Sequence, residues 1–202
     1  AARPYSSRLE EMLLSLASSA ISGDGVIKLL TGTGKQDSYL VIPVTADRGL
    51  CGGFNSNINR ETFKYIKSLD HEGKKVNLIT IGKKSRDFFS RLMKDKIIES
   101  FIDLGSSGAG YDIAQQISNK IQKLYNDSEF DVCVFIYNQF KSAMTQTVTH
   151  QQLIPLDLNN KESVNGKKEI SDSSVYIYEP DESEILKDLL PRNVSIQIFK
   201  VL

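Results

Sequence analysis

The sequence predicts an α/β domain built on a mainly parallel sheet with helices on both faces. Short apolar runs alternate with segments in which apolar residues recur every three or four positions, as strands alternate with helices. The run DVCVFIYN is apolar almost throughout, which is typical of a strand buried on both faces. With 202 residues, of which 40% are hydrophobic, the chain is long enough to bury a sizeable core.

The chain opens with a predicted helix whose apolar residues form one narrow stripe. Leu9, Met12, Leu13 and Leu16 follow helical spacing, and the turn SGDG ends the segment. A second helix, near the other end, begins with the acidic run DESE, which suits a helix N-terminus. Because the sequence stops within an apolar stretch that has no capping signal, we expect two truncated helices that pair as an antiparallel coiled coil.

Between these helices, strands and helices alternate. The strand candidates YLVIPVTAD, KVNLITIG and IIESFIDL are each followed by a segment of helical spacing, and DVCVFIYN closes the series. In the helix KKSRDFFSRLMKDK we expect Phe88, Phe89, Leu92 and Met93 to point inward. The order of elements predicts right-handed crossovers and a Rossmann-like domain.

Beyond DVCVFIYN the pattern changes. Thr145, Thr147 and Thr149 stand at alternate positions, which predicts an extended and half-exposed strand. Residues 159–169 are predicted to form a polar loop, and SSVYIYEP is a further strand candidate. We therefore predict the end of one helix at residues 1–20, a central α/β domain at residues 26–180 and the start of another helix at residues 183–202.

The charge balance argues against a chain that bulk charge recruits to nucleic acid or to an anionic membrane. Lys and Arg together number 25, and so do Asp and Glu, which leaves a formal net charge of zero. Cys51 and Cys133 are the only cysteines, and their separation fits neither a zinc site nor a disulfide framework, so a reducing compartment fits best. No apolar run approaches the roughly 18–20 residues that cross a bilayer.

The glycine-rich stretch TADRGLCGGFNSN is the strongest candidate for a site of chemistry, because it lies between a strand and a helix. Its glycines, Gly49, Gly52 and Gly53, lack the spacing of the dinucleotide fingerprint G-x-G-x-x-G. The stretch TGTGKQ fails the Walker pattern, since Leu29 stands where glycine is needed and Gln36 where serine or threonine is needed. A polar turn is the better interpretation of TGTGKQ.

Cys51 is a conceivable thiolate nucleophile beside a helix N-terminus. The candidate bases are His71, in a helix-end turn, and His150, in the threonine-rich run, and nothing in the sequence places either beside the thiol. The two histidines and two cysteines are isolated and form no metal cluster. These observations favour an interaction protein without metal or cofactor. The alternative is a small nucleotide-binding module or a cysteine hydrolase that uses residues 49–53. We expect these residues to form a tight and exposed turn.

Four segments, taken in order, resemble the gamma subunit of F-type ATP synthase. ADRGLCGGFNSNI, after a short strand, resembles that family's signature loop. ARPYSSRLEEMLLSL is similar to the end of the N-terminal helix, YNQFKSAMTQTVTHQQLIPL to the long strand region, and VYIYEPDESEILKDLLPRNVSIQIFKVL to the entry into the C-terminal helix. The resemblance covers essentially the whole chain. It implies a non-catalytic rotor, in which proton flow turns the c-ring and gamma carries torque to the beta subunits, where ATP is made.

The resemblance also implies roles for individual residues. The loop that matches the family signature faces beta, and its candidate contacts are Asp47, Arg48, Gly49, Leu50 and Cys51. The foot that approaches the c-ring and the epsilon subunit is matched by Tyr176, Tyr178, Glu179, Pro180 and Asp181. Helix pairing brings Leu9, Met12, Leu13 and Leu16 against Ile196, Phe199 and Leu202. We expect charge changes at Asp47 or Arg48 to alter coupling in the complex and to leave the fold intact.

The implied partners are the alpha and beta subunits of the catalytic ring, the epsilon subunit (delta in mitochondria) and the c-ring. No cofactor, metal or nucleic acid is implied, and the membrane is reached only through the complex. The implied location is the cytoplasmic face of the bacterial inner membrane, with the matrix side of the mitochondrial inner membrane as the alternative. Compared with the family, the chain is expected to be a fragment without most of both long helices.

Overall fold

The fold is organised around a mainly parallel sheet. A computed structural model describes residues 32–103, 110–142, 145–155 and 191–199, together with Leu29 and Leu202. The strands in this part of the chain are β1 (Ser38–Pro43), β2 (Lys75–Ile81), β3 (Ile97–Phe101), β4 (Val132–Ser142) and β5 (Thr145–Ile154). They form one sheet in the order β3–β2–β1–β4–β5, in which β5 runs antiparallel to β4 and the other pairs are parallel. The predicted mainly parallel sheet is confirmed.

Helices cover both faces of this sheet, as predicted. In the described residues they are α1 (Phe54–His71), α2 (Lys83–Leu92), α3 (Gly110–Asn126) and a helix at residues 191–199, labelled α4. A short 3₁₀ turn, Lys94–Lys96, links α2 to β3. α1 and α2 pack on one face of the sheet, and α3 and α4 pack on the other.

β4 takes part in both hydrophobic cores, because successive side chains of a strand point to opposite faces. Val134 and Ile136 pack in the core beneath α1 and α2, while Cys133 and Phe135 pack in the core beneath α3 and α4. Burial stabilises the fold by about 1.5–3 kcal/mol for each large apolar side chain. It also raises the pKa of the Cys133 thiol far above its ordinary value, so this thiol stays protonated. The prediction that DVCVFIYN is buried on both faces is confirmed.

The predicted orientation of α2 is wrong in part. Phe89 and Met93 are buried, but Phe88 is only half-buried and Leu92 is 55% exposed. An α-helix turns by about 100° per residue, so the four apolar positions 88, 89, 92 and 93 span a stripe of roughly 140°. A ten-residue helix that packs on one sheet cannot bury so wide a stripe, and Leu92 therefore lies on the outer side.

α4 joins the core beneath α3 through Val194 and Ile198, which are 2% and 0% exposed. A hydrogen bond from Gln151 Nε2 to Gln197 Oε1, 2.8 Å long, ties the same helix to β5. The ring of Phe199 meets the ring of Tyr111 of α3 edge to face, with 6.2 Å between centroids. The helix is thus part of the packed domain.

Asp131 ties the segment before β1 to the start of β4. Its carboxylate accepts hydrogen bonds from Thr33 Oγ1 at 2.8 Å, from the backbone N–H groups of Asp37 and Ser38 at 3.0 and 3.1 Å, and from Ser38 Oγ at 3.0 Å. Burial opposes the charge of this carboxylate, but the four donors outweigh burial and hold the pKa of Asp131 below its ordinary value.

We expect Asp131→Asn to lower the free energy of unfolding at neutral pH by about 1–3 kcal/mol, because an amide accepts these four donors poorly. Since the folded-state pKa is depressed, the stabilisation is complete above the unfolded-state value of about 3.9 and is lost as the pH falls through the folded-state value. Urea unfolding from acid to neutral pH measures both effects. A variant whose stability fell with acid as steeply as that of the wild type would contradict the assignment.

Candidate functional site

The exposed loop at residues 45–53 is the first candidate site, and we refer to it as the signature loop. It leaves the carboxyl end of β1 and leads into α1. β1 lies between β2 and β4 in the sheet. The chain therefore continues from β1 to one side of the sheet and later returns, after β3, to the other side of β1. Open α/β sheets bind ligands at such a place, and the geometry of the loop therefore decides whether it can hold one.

The base of the signature loop is braced by side chains on both sides. Asn55 of α1 bridges the loop, since its Oδ1 accepts the N–H of Ala46 at 2.9 Å and its Nδ2 donates to the carbonyl of Arg48 at 3.2 Å. Thr45 Oγ1 accepts the N–H of Ser85 at 2.9 Å. Asp47 Oδ1 accepts the N–H of Lys83, the first residue of α2, at 2.9 Å. The loop is thereby fixed to α1 and α2.

The tip of the signature loop is presented to solvent. Arg48, Gly49, Leu50 and Cys51 are exposed, and Leu50 is as open as in an extended peptide. Leu50 also has a φ of 60°, in the left-handed region that a leucine rarely adopts. Of the three loop glycines only Gly52 has a positive φ. The turn therefore does not depend on glycine alone. Leu50 also adopts a left-handed backbone conformation, at a cost of order 1–3 kcal/mol in strain, and its side chain points outward.

Asp47 has a structural role that the sequence did not indicate. Its carboxylate caps α2, a helix with no acidic residue in its first turn and with Lys83 and Lys84 at that end. A negative charge at a helix N-terminus is stabilising, whereas lysines there are not. A charge change at Asp47 is therefore expected to cost stability even where the fold stays intact, while Arg48 is an exposed side chain.

We expect Asp47→Ala to lower the free energy of unfolding by about 0.5–2 kcal/mol through loss of this cap. Arg48→Ala serves as the matched control, and its effect should stay within about 0.5 kcal/mol because the side chain is exposed. Chemical denaturation of the two purified variants beside the wild type measures the difference. Equal stability of the two variants would remove the capping role from Asp47.

The hydrolase interpretation finds no support in this geometry. Cys51 Sγ lies 3.3 Å from the carbonyl oxygen of Gly49 and 3.8 Å from that of Arg48, neither of which is a base. His71 ends α1, about 25 Å along the helix from the loop. His150 Nε2 instead contacts Glu61 Oε1 at 3.2 Å. Among the residues that the structure describes, no group of metal-ligating side chains is found.

The remaining predicted site residues are described only in part. Ile196 is half-buried, and Phe199 and Leu202 are each 40% exposed. The residues predicted to pair with them and the residues of the predicted foot lie outside the described ranges: Leu9, Met12, Leu13, Leu16, Tyr176, Tyr178, Glu179, Pro180 and Asp181. The helix pairing and the foot stay predictions. None of the helices in the described ranges combines the length and hydropathy needed to cross a bilayer.

A surface groove between α1 and α2 is a second site, which sequence reasoning missed. It has a volume of about 650 Å³, and Asn59 and Phe63 of α1 face Lys84, Phe88 and Leu92 of α2 across it. We refer to it as the α1–α2 groove. The sequence feature that points to this groove is the apolar stripe of KKSRDFFSRLMKDK, which is too broad to be buried on one face of a helix.

Comparisons with known proteins agree with one another. The family model described as ATP synthase matches residues 1–202. The ATP synthase gamma chain of Rhodospirillum rubrum is 44% identical over an aligned length of 207 residues. The alignment covers 99% of this chain and 68% of that relative. The gamma chain of Rhizobium johnstonii is 42% identical over 202 residues, 100% of this chain and 68% of the relative. Among solved structures, a chain of the central stalk and c-ring of the Tetrahymena thermophila mitochondrial ATP synthase has a TM-score of 0.64 at 23% identity, with 99% of this chain and 85% of that chain covered.

Proposed function

Because the chain belongs to the ATP synthase gamma-chain family, we propose that it acts as the non-catalytic rotor in the central stalk of the proton-translocating F-type enzyme. The observation that carries this proposal is the match of the whole chain to the family, at 44% identity to a gamma chain. Proton flow turns the c-ring, and the chain carries that rotation to the beta subunits, where ATP is made. The alternative of a small nucleotide-binding module or cysteine hydrolase is not supported.

The signature loop is the proposed contact with beta, through Asp47, Arg48, Gly49, Leu50 and Cys51. Its braced base and its outward Leu50 support this role, because a loop that is anchored at its base loses less entropy when an apolar side chain at its tip docks. Asp47 contributes by anchoring the loop to α2 as well as by its charge. The other proposed partners are alpha, the c-ring and epsilon (delta in mitochondria), the last two through the foot formed by Tyr176, Tyr178, Glu179, Pro180 and Asp181.

We also propose the division of the chain and the location that the sequence predicts. The central domain at residues 26–180 is flanked by helix segments at residues 1–20 and 183–202, which pair as an antiparallel coiled coil. The exposed sides of Phe199 and Leu202 support such pairing, since they leave apolar surface beyond the core that α4 shares with the sheet. The proposed location is the cytoplasmic face of the bacterial inner membrane, or the matrix side of the mitochondrial inner membrane.

Single-molecule rotation tests the proposed function directly. The full-length subunit with Cys51→Ser and Lys123→Cys is assembled into the complete enzyme, and a bead is attached at position 123. Lys123 is exposed on α3, and the buried Cys133 does not compete for the label. ATP should drive rotation of the bead in one direction. An assembled complex that hydrolyses ATP while the bead stays still would refute the rotor assignment.

A further inference from the structure

The α1–α2 groove has the length of a short helix. α1 and α2 run parallel, because each returns from the carboxyl end of one parallel strand to the start of the next on the same face. Its walls extend from Asn55 to Phe63 and from Lys84 to Leu92, which is about 12 Å along each helix. A helix of two to three turns fits this length.

The floor of the groove brings together three large apolar side chains that are not fully buried. Phe63 and Phe88 are each half-buried, and Leu92 is 55% exposed although its neighbour Phe89 is completely buried. Leaving such a side chain in water forgoes part of the roughly 1.5–3 kcal/mol that its burial supplies. Three such residues on facing helices are spaced to receive the apolar side chains of another helix at every third or fourth position.

The rim of the groove is positively charged. Arg60, Lys84 and Arg91 line it, and the one carboxylate among the lining residues, Asp87, is already held by Arg86 Nη2 at 2.7 Å. Lys84, at the N-terminus of α2, opposes the helix dipole, whereas Arg91, in the last turn, complements it, so helix stability accounts for Arg91 but not for Lys84. An acidic partner would be attracted to this rim, and a basic one would be repelled.

Asn59 is a buried polar side chain in the wall of the groove. It is 5% exposed, and its Nδ2 donates to the carbonyl of Lys84 at 3.3 Å. Its buried Oδ1 has no hydrogen-bond partner among the described residues. A buried acceptor left without a donor costs about 1–3 kcal/mol, so this wall of the groove carries a polar cost that its own residues do not offset.

We infer that the α1–α2 groove binds an acidic amphipathic helix of a partner protein. Apolar side chains of that helix, three or four positions apart, lie over Phe63, Phe88 and Leu92, and its Glu or Asp side chains meet Arg60 and Arg91. This inference goes beyond the rotor function, because it assigns a ligand class to a surface that the signature loop does not include.

Site-directed photo-crosslinking in cells tests this inference. The full-length subunit carries Leu92→p-benzoylphenylalanine, at a position whose exposure spares the core, and the crosslinked peptide is identified by mass spectrometry. The matched control is Lys123→p-benzoylphenylalanine, on α3 at the other face of the sheet. We expect one dominant product at position 92, with a peptide that is acidic and amphipathic. No product above the control, or a product with a second copy of this chain, a lipid or a peptide without excess acid, would overturn the inference.

Charge reversal supplies the second arm of this experiment. Arg60→Glu combined with Arg91→Glu should reduce the crosslinking yield at position 92 roughly fivefold or more, since two attractive ion pairs become repulsive. Lys123→Glu, an exposed reversal far from the groove, should leave the yield unchanged. A yield that ignores the arginine reversals would overturn the inference even if a product forms. Bead rotation is scored separately, so failure here leaves the rotor assignment standing.

Discussion

Replacement of Gly82 by alanine is expected to destabilise the domain by more than about 3 kcal/mol. Gly82 joins β2 to α2 with φ 90° and ψ 144°, a conformation that residues with a side chain rarely adopt. A Cβ placed there would lie 2.0 Å from the carbonyl oxygen of Thr45, the first residue of the signature loop. The Gly82 N–H also donates to the carbonyl of Phe101 at 2.8 Å, so the backbone cannot rotate away without breaking a bond to β3.

Gly73→Ala is the matched control for this prediction. Gly73 also has a positive φ, 72°, but none of the described atoms lies within 4 Å of the place that its Cβ would occupy, so only backbone strain of about 1 kcal/mol is expected. Urea unfolding of both variants gives the two free energies. If Gly82→Ala cost no more than Gly73→Ala, close packing between Gly82 and Thr45 would not be the reason for glycine at this junction.

The second large effect is expected at Leu50, with opposite signs for stability and for function. Leu50→Gly should leave the free subunit as stable as the wild type or more stable by up to about 1 kcal/mol, because glycine adopts a φ of 60° without strain. In the complete enzyme the same change removes an apolar contact at a proposed interface. Loss of a contact worth about 1.4 kcal/mol weakens docking tenfold, so proton pumping per ATP hydrolysed should fall.

Two further variants separate the backbone of Leu50 from its side chain. Leu50→Asn tolerates the left-handed conformation but is polar, so it should behave like the glycine variant. Leu50→Met keeps both the strain and the apolar contact, and it should match the wild type. Pumping and hydrolysis are measured together in inverted membrane vesicles. A fully coupled Leu50→Asn enzyme would argue that the tip of the signature loop does not bind beta through its side chain.

The elements of the fold were predictable because each carries a strong local pattern. The continuous apolar run of β4 marks a strand buried on both faces, and the stripe of α3 marks a helix with one buried side. The alternating threonines of β5 likewise indicate a half-exposed strand, and β5 lies at the edge of the described sheet. Such patterns show which side of a helix or strand is buried, although they do not show which element it packs against.

The details of the sites were not predictable, because they depend on which elements become neighbours. The cap that Asp47 supplies to Lys83 joins residues 36 positions apart, and no spacing rule connects them. Periodicity predicts a buried Leu92, because it cannot show that α2 packs on the sheet through one narrow side. The α1–α2 groove exists only once both helices lie on the same face, so the sequence alone does not bring its arginines together.

The packing of α4 has a mechanical consequence. Val194 and Ile198 of this helix share one core with Leu40 of β1 and Phe135 of β4, and Gln197 is tied to Gln151 of β5. A twist applied to the sheet is therefore passed to residues 191–199 through side chains packed in the same core. We therefore expect the sheet and this helix to move together when the subunit turns.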